Sequence, residues 1–140
     1  MTTLPPPPGP GLRFHHVGVV SPDLDKDTTA LGVLGYRPEG PDFVDPVQGV
    51  RGRFLGGVEP RLELLAPLAE AGVLAPWMKT GAKLYHLAYE ARDPEAVLER
   101  LRAGRGRVLV PPVPAVAFHG RAISFVMLPN LLLVELISSS

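Results

Sequence analysis

The sequence predicts an α+β fold made of two similar half-chains. Three observations predict it. Strand-like and helix-like segments run in the same order twice. In each half a histidine-bearing strand leads to a helix start with the same signature, a capping residue followed by proline, at Ser21-Pro22 and again at Asp93-Pro94. Each half closes on an aliphatic strand carrying one glutamate, RLELLAPL at 61–68 and LLVELISS at 132–139. Self-similarity of this kind marks an internal repeat.

In chain order, MTTLPPPPGPG (1–11) has neither the basic start nor the apolar run of a signal peptide. Its four consecutive prolines favour an extended polyproline arm, and it reads as a disordered tail. The first module spans 12–68. Arg13 to Val20 alternates and is rich in β-branched residues, as strands are. A helix then runs to about Leu34 and stops at Gly35. Asp23, Asp25 and Asp27 in its first turns suit the positive end of the helix dipole. Short strands are expected at Tyr36–Arg37, Val47–Leu55 and Arg61–Ala66, separated by Gly and Pro.

Residues 69–82 read as a connector with a short helix around Val73–Lys79. The second module spans 83–140. KLYHLAYE alternates like a strand, Asp93 to Arg102 reads as a helix ending near Gly104, and Arg107–Val110, Ala122–Met127 and Leu131–Ile137 read as strands. Each half is therefore a strand, a helix and three strands.

Composition narrows the function. The chain has 140 residues, 46% of them hydrophobic, enough for one compact core. Fourteen basic residues balance fourteen acidic ones, and there is no long basic run, which argues against nucleic acid as a partner. No cysteine is present, so a disulfide frame, a thiol nucleophile and a cysteine-based zinc site are all excluded. Any metal must be held by histidines and carboxylates. No apolar run approaches the roughly 20 residues of a membrane span. The expectation is a soluble, cytoplasmic protein.

Four residues recur at equivalent places. Glu63 follows His16 by 63 − 16 = 47 residues, and Glu135 follows His86 by 135 − 86 = 49. Alone, His16 reads as a hydrogen-bonded core histidine, and either glutamate as a solvated residue on an outer sheet face. A carboxylate in an apolar strand is otherwise expensive to bury unless it is paired or binds metal. If the halves pack about a pseudo-twofold axis, both histidines and both glutamates converge. Two imidazoles and two carboxylates suit Ni²⁺, Co²⁺, Zn²⁺, Mn²⁺ or Fe²⁺ with positions left open. Within FHHVGVV, alternation sends His15 to the opposite face with Val17 and Val19, toward the helix layer. Aligning LYHLAY with FHHVGV sets His86 against His16 and Tyr85 against His15. Tyr85 and Tyr89 are expected to share the face away from the site, and Trp77 to anchor the connector.

The paired modules with HHVG, LELLAPL, LYHLAY and LLVELI resemble the vicinal oxygen chelate, or glyoxalase, superfamily across Phe14 to Ile137. Methylmalonyl-CoA epimerases look most similar within it: Ala66-Pro67-Leu68, Trp77, Tyr85-His86, His119-Gly120 and Ile123-Ser124-Phe125 match their pattern. The resemblance implies two βαβββ modules forming an open, cupped mixed sheet, the glyoxalase/bleomycin-resistance fold, around a metal held by His16, Glu63, His86 and Glu135. It also implies a homodimer. Two departures stand out. Epimerases commonly carry Gln where this chain has Glu63, which looks more like glyoxalase I. They also use a further glutamate after a stretch like Gln48-Gly49-Val50-Arg51, where this chain has Gly52.

The expected activity is a metal-assisted proton transfer beside the carbonyl of an acyl-CoA or other thioester, with Glu135 as base and Glu63 as its partner. Arg51, His119 and Arg121 are candidate substrate contacts. The alternatives are a glyoxalase I-like lactoylglutathione lyase and a non-catalytic small-molecule binding or resistance protein. The complete His/Glu set counts against the last.

Overall fold

The structure, a computed structural model, describes residues 11–70 and 72–140. The proline-rich arm expected over 1–11 lies, apart from Gly11, outside the described residues. The first half contributes β1 (Leu12–Val20), α1 (Leu24–Gly32), β2 (Arg37–Pro38), β3 (Phe43–Asp45), β4 (Val50–Gly56) and β5 (Leu62–Pro67). After α2 (Ala75–Thr80) come β6 (Leu84–Ala91), α3 (Pro94–Ala103), β7 (Arg107–Pro114), a 3₁₀ turn at Val116–Phe118, β8 (Ala122–Met127) and β9 (Leu133–Ser138).

The strands form one open mixed sheet in the order β2-β4-β5-β1-β6-β9-β8-β7, with β3 on β4. Its centre is the antiparallel pair β1–β6, flanked by β5 running parallel to β1 and β9 running parallel to β6. The two halves therefore meet along β1–β6 with pseudo-twofold symmetry. β7 carries Pro111, Pro112 and Pro114, which it tolerates because it is an edge strand with one side unpaired.

Alternation along the central strands divides the core in two directions. Leu62, Leu64 and Ala66 of β5 pack with Leu24 of α1, while Val134 and Leu136 of β9 pack with Val97 and Leu98 of α3. Their neighbours Leu65, Leu133 and Ile137 point the other way and join Val20, Tyr85, Ala88, Phe118 and Phe125 in a third cluster on the concave face. Glu63 and Glu135 share the parity of that concave set.

The helix starts follow the sequence reading with one shift. Asp93 caps α3, accepting from Ala96 N at 3.1 Å, with Pro94 in the first turn. In the first half, Asp23 rather than Ser21 is the cap, accepting from Lys26 N at 3.1 Å. Ser21 is fully buried and donates to Asp27 Oδ2 at 2.6 Å, two residues before the predicted role could begin. The strand expected over Val47–Leu55 begins only at Val50, because Asp45 closes a tight turn by accepting from Val47 N and Gln48 N, both at 3.1 Å. The three residues before that turn form β3, which the sequence reading missed.

Candidate metal centre

Register places the four donors. β1 pairs with β6 so that Gly18 faces His86 and His16 faces Ala88. In the parallel pairs, Gly18 faces Glu63 and Ala88 faces Glu135. Gly18 and Ala88 are thus symmetry-related small residues, and each leaves room beside a histidine. The room at Gly18 is required: a Cβ there would overlap the His86 ring.

One donor atom from each of His16, Glu63, His86 and Glu135 lies within 4.8 Å of all the others, and all four residues are buried. His16 Nε2 stands 3.1 Å from Glu63 Oε1, 3.3 Å from Glu135 Oε1 and 3.0 Å from His86 Nε2. His86 Nε2 stands 3.4 Å from Glu63 Oε1 and 3.2 Å from Glu135 Oε1.

Burial alone would pull the His16 imidazole down, but the charge of Glu63 and bonds to both glutamates outweigh it and raise its pKa to about 9. Burial opposes ionisation of Glu63 in the same way, yet His16 and His86 bring it down to about 2. His86 moves up, against its burial, because of Glu135 and Glu63. Glu135 moves down, against its burial, because of His86 and His16. Without a cation the cluster therefore holds itself together with protons on the imidazoles.

The donor set fits a divalent ion. Donors bound at about 2.0–2.1 Å lie roughly 3.0 to 3.4 Å apart at right-angled or tetrahedral corners, the range of the contacts above. Glu135 Oε1 is buried, and its near neighbours are the two ring nitrogens at 3.2 and 3.3 Å, neither aligned as a full hydrogen-bond donor, so a cation between them would satisfy it better. His16 and Glu63 come from one half and His86 and Glu135 from the other.

A small cavity of about 30 Å³ opens beside the donors, room for a water or two. On the first-half side it is lined by Phe43, Asp45, Gln48, Val50, Glu63 and Leu65; on the other by Tyr85, His86, Ala115, Ala117, Phe118, Ile123, Phe125 and Glu135, with Val73 between. Asp45 Oδ2 also accepts from Val116 N at 3.4 Å, tying the β3–β4 turn to the 3₁₀ turn across the rim. Sequence reading missed Asp45; a lone buried acid before a turn, in FVDPVQG, was its only signal.

Gly52 pairs with Phe43 on one side and Leu65 on the other. A Cβ there would overlap the Phe43 ring, so the space beside position 52, where the resemblance led one to expect a glutamate, is filled by an aromatic ring.

The remaining candidates sit apart. Arg121 donates to Glu90 at 3.0 Å and to Ser138 O at 3.2 Å, with its guanidinium over Phe118. His119 is exposed, left-handed at φ 56°, at the end of the 3₁₀ turn, and Arg51 is exposed on β4. None of the three lines the cavity. Trp77 packs edge-on to Tyr85 at 4.7 Å, as a connector anchor should.

One sequence expectation is overturned. His15 and Tyr85 do not face the helix layer. The β1–β6 register slips between Phe14 and His16 and again between Gly18 and Val19, opposite His86 and Leu84. His15 and Tyr85 are the extra residues, and such bulges re-aim a side chain. Both rings turn to the concave side: His15 lies 5.4 Å from Phe118, and Tyr85 lies 5.9 Å from Phe125. Tyr89 does lie on the other face, against the α3 cluster. Strict alternation cannot reveal a bulge.

Comparison with known proteins adds relatives. The family model described as Glyoxalase/Bleomycin resistance protein/Dioxygenase superfamily matches residues 15–125. The ethylmalonyl-CoA/methylmalonyl-CoA epimerase of Cereibacter sphaeroides is 29% identical over 116 residues, 81% of this chain and 86% of that protein. Methylmalonyl-CoA epimerase of Mycobacterium tuberculosis is similar in structure at a TM-score of 0.76 and 27% identity, covering 91% of this chain and 87% of that one. A Streptomyces coelicolor methylmalonyl-CoA epimerase variant in complex with 2-nitronate-propionyl-CoA matches at 0.76 and 28%, covering 91% and 97%.

Proposed function

Because the chain belongs to the glyoxalase/bleomycin resistance protein/dioxygenase superfamily, we propose that it is a metal-dependent isomerase that moves a proton at the carbon beside a thioester carbonyl, in the manner of a methylmalonyl-CoA epimerase. The observation that carries this reading is the buried convergence of His16, Glu63, His86 and Glu135 at the seam of the two halves. The kinship to epimerases of acyl-CoA substrates supports it.

A divalent ion bound there supplies positive charge for the oxygen that becomes negative when the neighbouring carbon loses a proton. The chain's own residues do the rest. His16 and His86 hold the centre rigidly from the two central strands. Glu63 and Glu135 reach it from opposite halves, so one carboxylate faces each side of a carbon placed between them. Glu135 acts as the base that takes the proton and Glu63 as the group that returns one, or the reverse. Gly52, filled by Phe43, leaves no other carboxylate at the epimerase position. The apolar rings around the donors exclude water from the transfer.

A second reading has one observation in its favour. Two glutamates rather than one in the donor set, with no base at position 52, are features expected of a glyoxalase I-like lyase. One experiment separates the two. The protein, loaded in turn with Ni²⁺, Co²⁺, Zn²⁺ and Mn²⁺, is incubated in D₂O with racemic methylmalonyl-CoA and, separately, with methylglyoxal and glutathione. Deuterium at C2 of the acyl group supports the isomerase; lactoylglutathione supports the lyase. Neither product with any metal sinks both.

A further inference from the structure

The bulge at His15 has a chemical result. His15 Nδ1 stands 2.7 Å from His16 Nδ1, the ring nitrogen that faces away from the four-donor cluster. A hydrogen bond that short needs one donor and one acceptor, so one ring carries its proton at Nδ1 and the other does not. We propose that His15 is a positioning residue: it accepts a hydrogen bond from His16 Nδ1–H and so keeps Nε2 of His16 turned into the cluster. Its functional meaning rests on the metal-dependent reading above, though the hydrogen bond itself does not.

The surroundings fix His15 for this task. Its ring stands edge-on to Phe118 at 5.4 Å and to Phe54 at 6.1 Å, which holds the plane upright against His16. Its carbonyl accepts from Arg61 at 3.3 Å, tying down the bulged backbone. The second half provides an internal control. Tyr85 occupies the equivalent bulge, and there His86 Nδ1 is buried with no hydrogen-bond partner among the described residues. A bulge alone does not satisfy the histidine beside it; an imidazole in the bulge does. Partners of this kind set the tautomer and orientation of metal-ligating histidines, and losing one typically weakens metal binding by roughly 10- to 100-fold.

Two variants and two readouts test this. His15→Phe keeps an aromatic ring against Phe54 and Phe118 but removes the acceptor; His15→Gln keeps an acceptor. ¹⁵N chemical shifts of the metal-free protein report which of the two facing nitrogens, His15 Nδ1 or His16 Nδ1, carries the proton. The expected result is a bare Nδ1 on His15 and a proton on His16 Nδ1 in the wild type, with that proton retained in His15→Gln and exchanging faster with water in His15→Phe. Co²⁺ titration is expected to show roughly a 10- to 100-fold loss in His15→Phe and a smaller one in His15→Gln. A proton on His15 Nδ1 in the wild type overturns the proposal, and that measurement stands even if the Phe variant does not fold. So does a folded His15→Phe with wild-type exchange of that proton and wild-type Co²⁺ affinity. A wild type that carries the proton on His16 Nδ1 but takes up no Co²⁺ sinks the metal reading while the positioning role survives.

Discussion

A methyl group at position 18 would overlap the His86 ring, so Gly18→Ala must displace either the ring or the β1 backbone. The expected cost is about 1–3 kcal/mol in urea unfolding, together with a loss of metal affinity that a buried change on the opposite face of the sheet, such as Leu98→Ala, does not produce. Gly52→Glu is expected to destabilise the protein by a similar amount, since its first carbon meets Phe43. Adding Phe43→Ala should recover part of the loss, whereas additive costs in the double variant would show that the two sites are not coupled. The cluster also sets a pH dependence for the metal-free protein. The His16 pKa is raised from 6.5, so its contribution is complete below about 6.5 and is lost as pH rises through about 9. The Glu63 pKa is lowered from 4.5, so its contribution is complete above about 4.5 and is lost as pH falls through about 2. Calorimetry should therefore find the metal-free Tm highest between those limits and falling on the alkaline side. A Tm that does not change between 6.5 and 9 would mean that His16 carries no extra proton when folded. His16, Glu63, His86 and Glu135 were legible because each is chemically out of place in an apolar strand and each recurs. His15 was not, because its role depends on a register slip that leaves no mark in the residue pattern.

Among the elements, the β3–β4 turn carries more than its length suggests. Asp45 accepts from three backbone N–H groups, two in its own turn and Val116 across the cavity rim. Asp45→Ala removes the acceptor of three part-buried donors and is expected to cost about 1–3 kcal/mol in urea unfolding. Hydrogen exchange should rise at Val47, Gln48 and Val116 together. Faster exchange at the turn alone would show that the tie to the 3₁₀ turn carries no stability. β5, β8 and β9 were readable as largely aliphatic runs of six residues, and β6 by its alternation over eight. β2 was placed one residue early, at Tyr36–Arg37, and the three-residue β3 was missed, since no period can be recognised over so few positions. β7 was cut short at Val110 in the sequence reading because prolines normally end strands. It continues to Pro114 because an edge strand needs hydrogen-bond donors on one side only.

At the scale of the molecule, each outer cluster pairs one helix with its own half, and the halves are joined by the β1–β6 ladder, the concave cluster and the four donors. A cation at the seam would therefore bind the folded chain and have no comparable site in the unfolded one. Co²⁺ at about 1,000 times its Kd is expected to add about 4 kcal/mol to the unfolding free energy, with a rise in Tm that disappears in His16→Ala and in Glu135→Ala alike. A rise that survives in either variant would place the ion elsewhere. The repeat made this arrangement legible from sequence, because two half-chains with matching histidines and glutamates have one symmetric way to bring them together. What the repeat could not convey is where the symmetry stops. The donors obey the pseudo-dyad, but the walls do not. Asp45 and Gln48 stand on the first-half side, and Phe118, Ile123 and Phe125 on the other. On the isomerase reading proposed above, a flat, trigonal carbon would meet two unlike walls, one carrying Asp45 and Gln48 among its apolar residues and the other Phe118, Ile123 and Phe125 beside Tyr85. The handedness of such a reaction would reside in the lining contributed by each half, and exchanging wall residues between halves would be the route to inverting it.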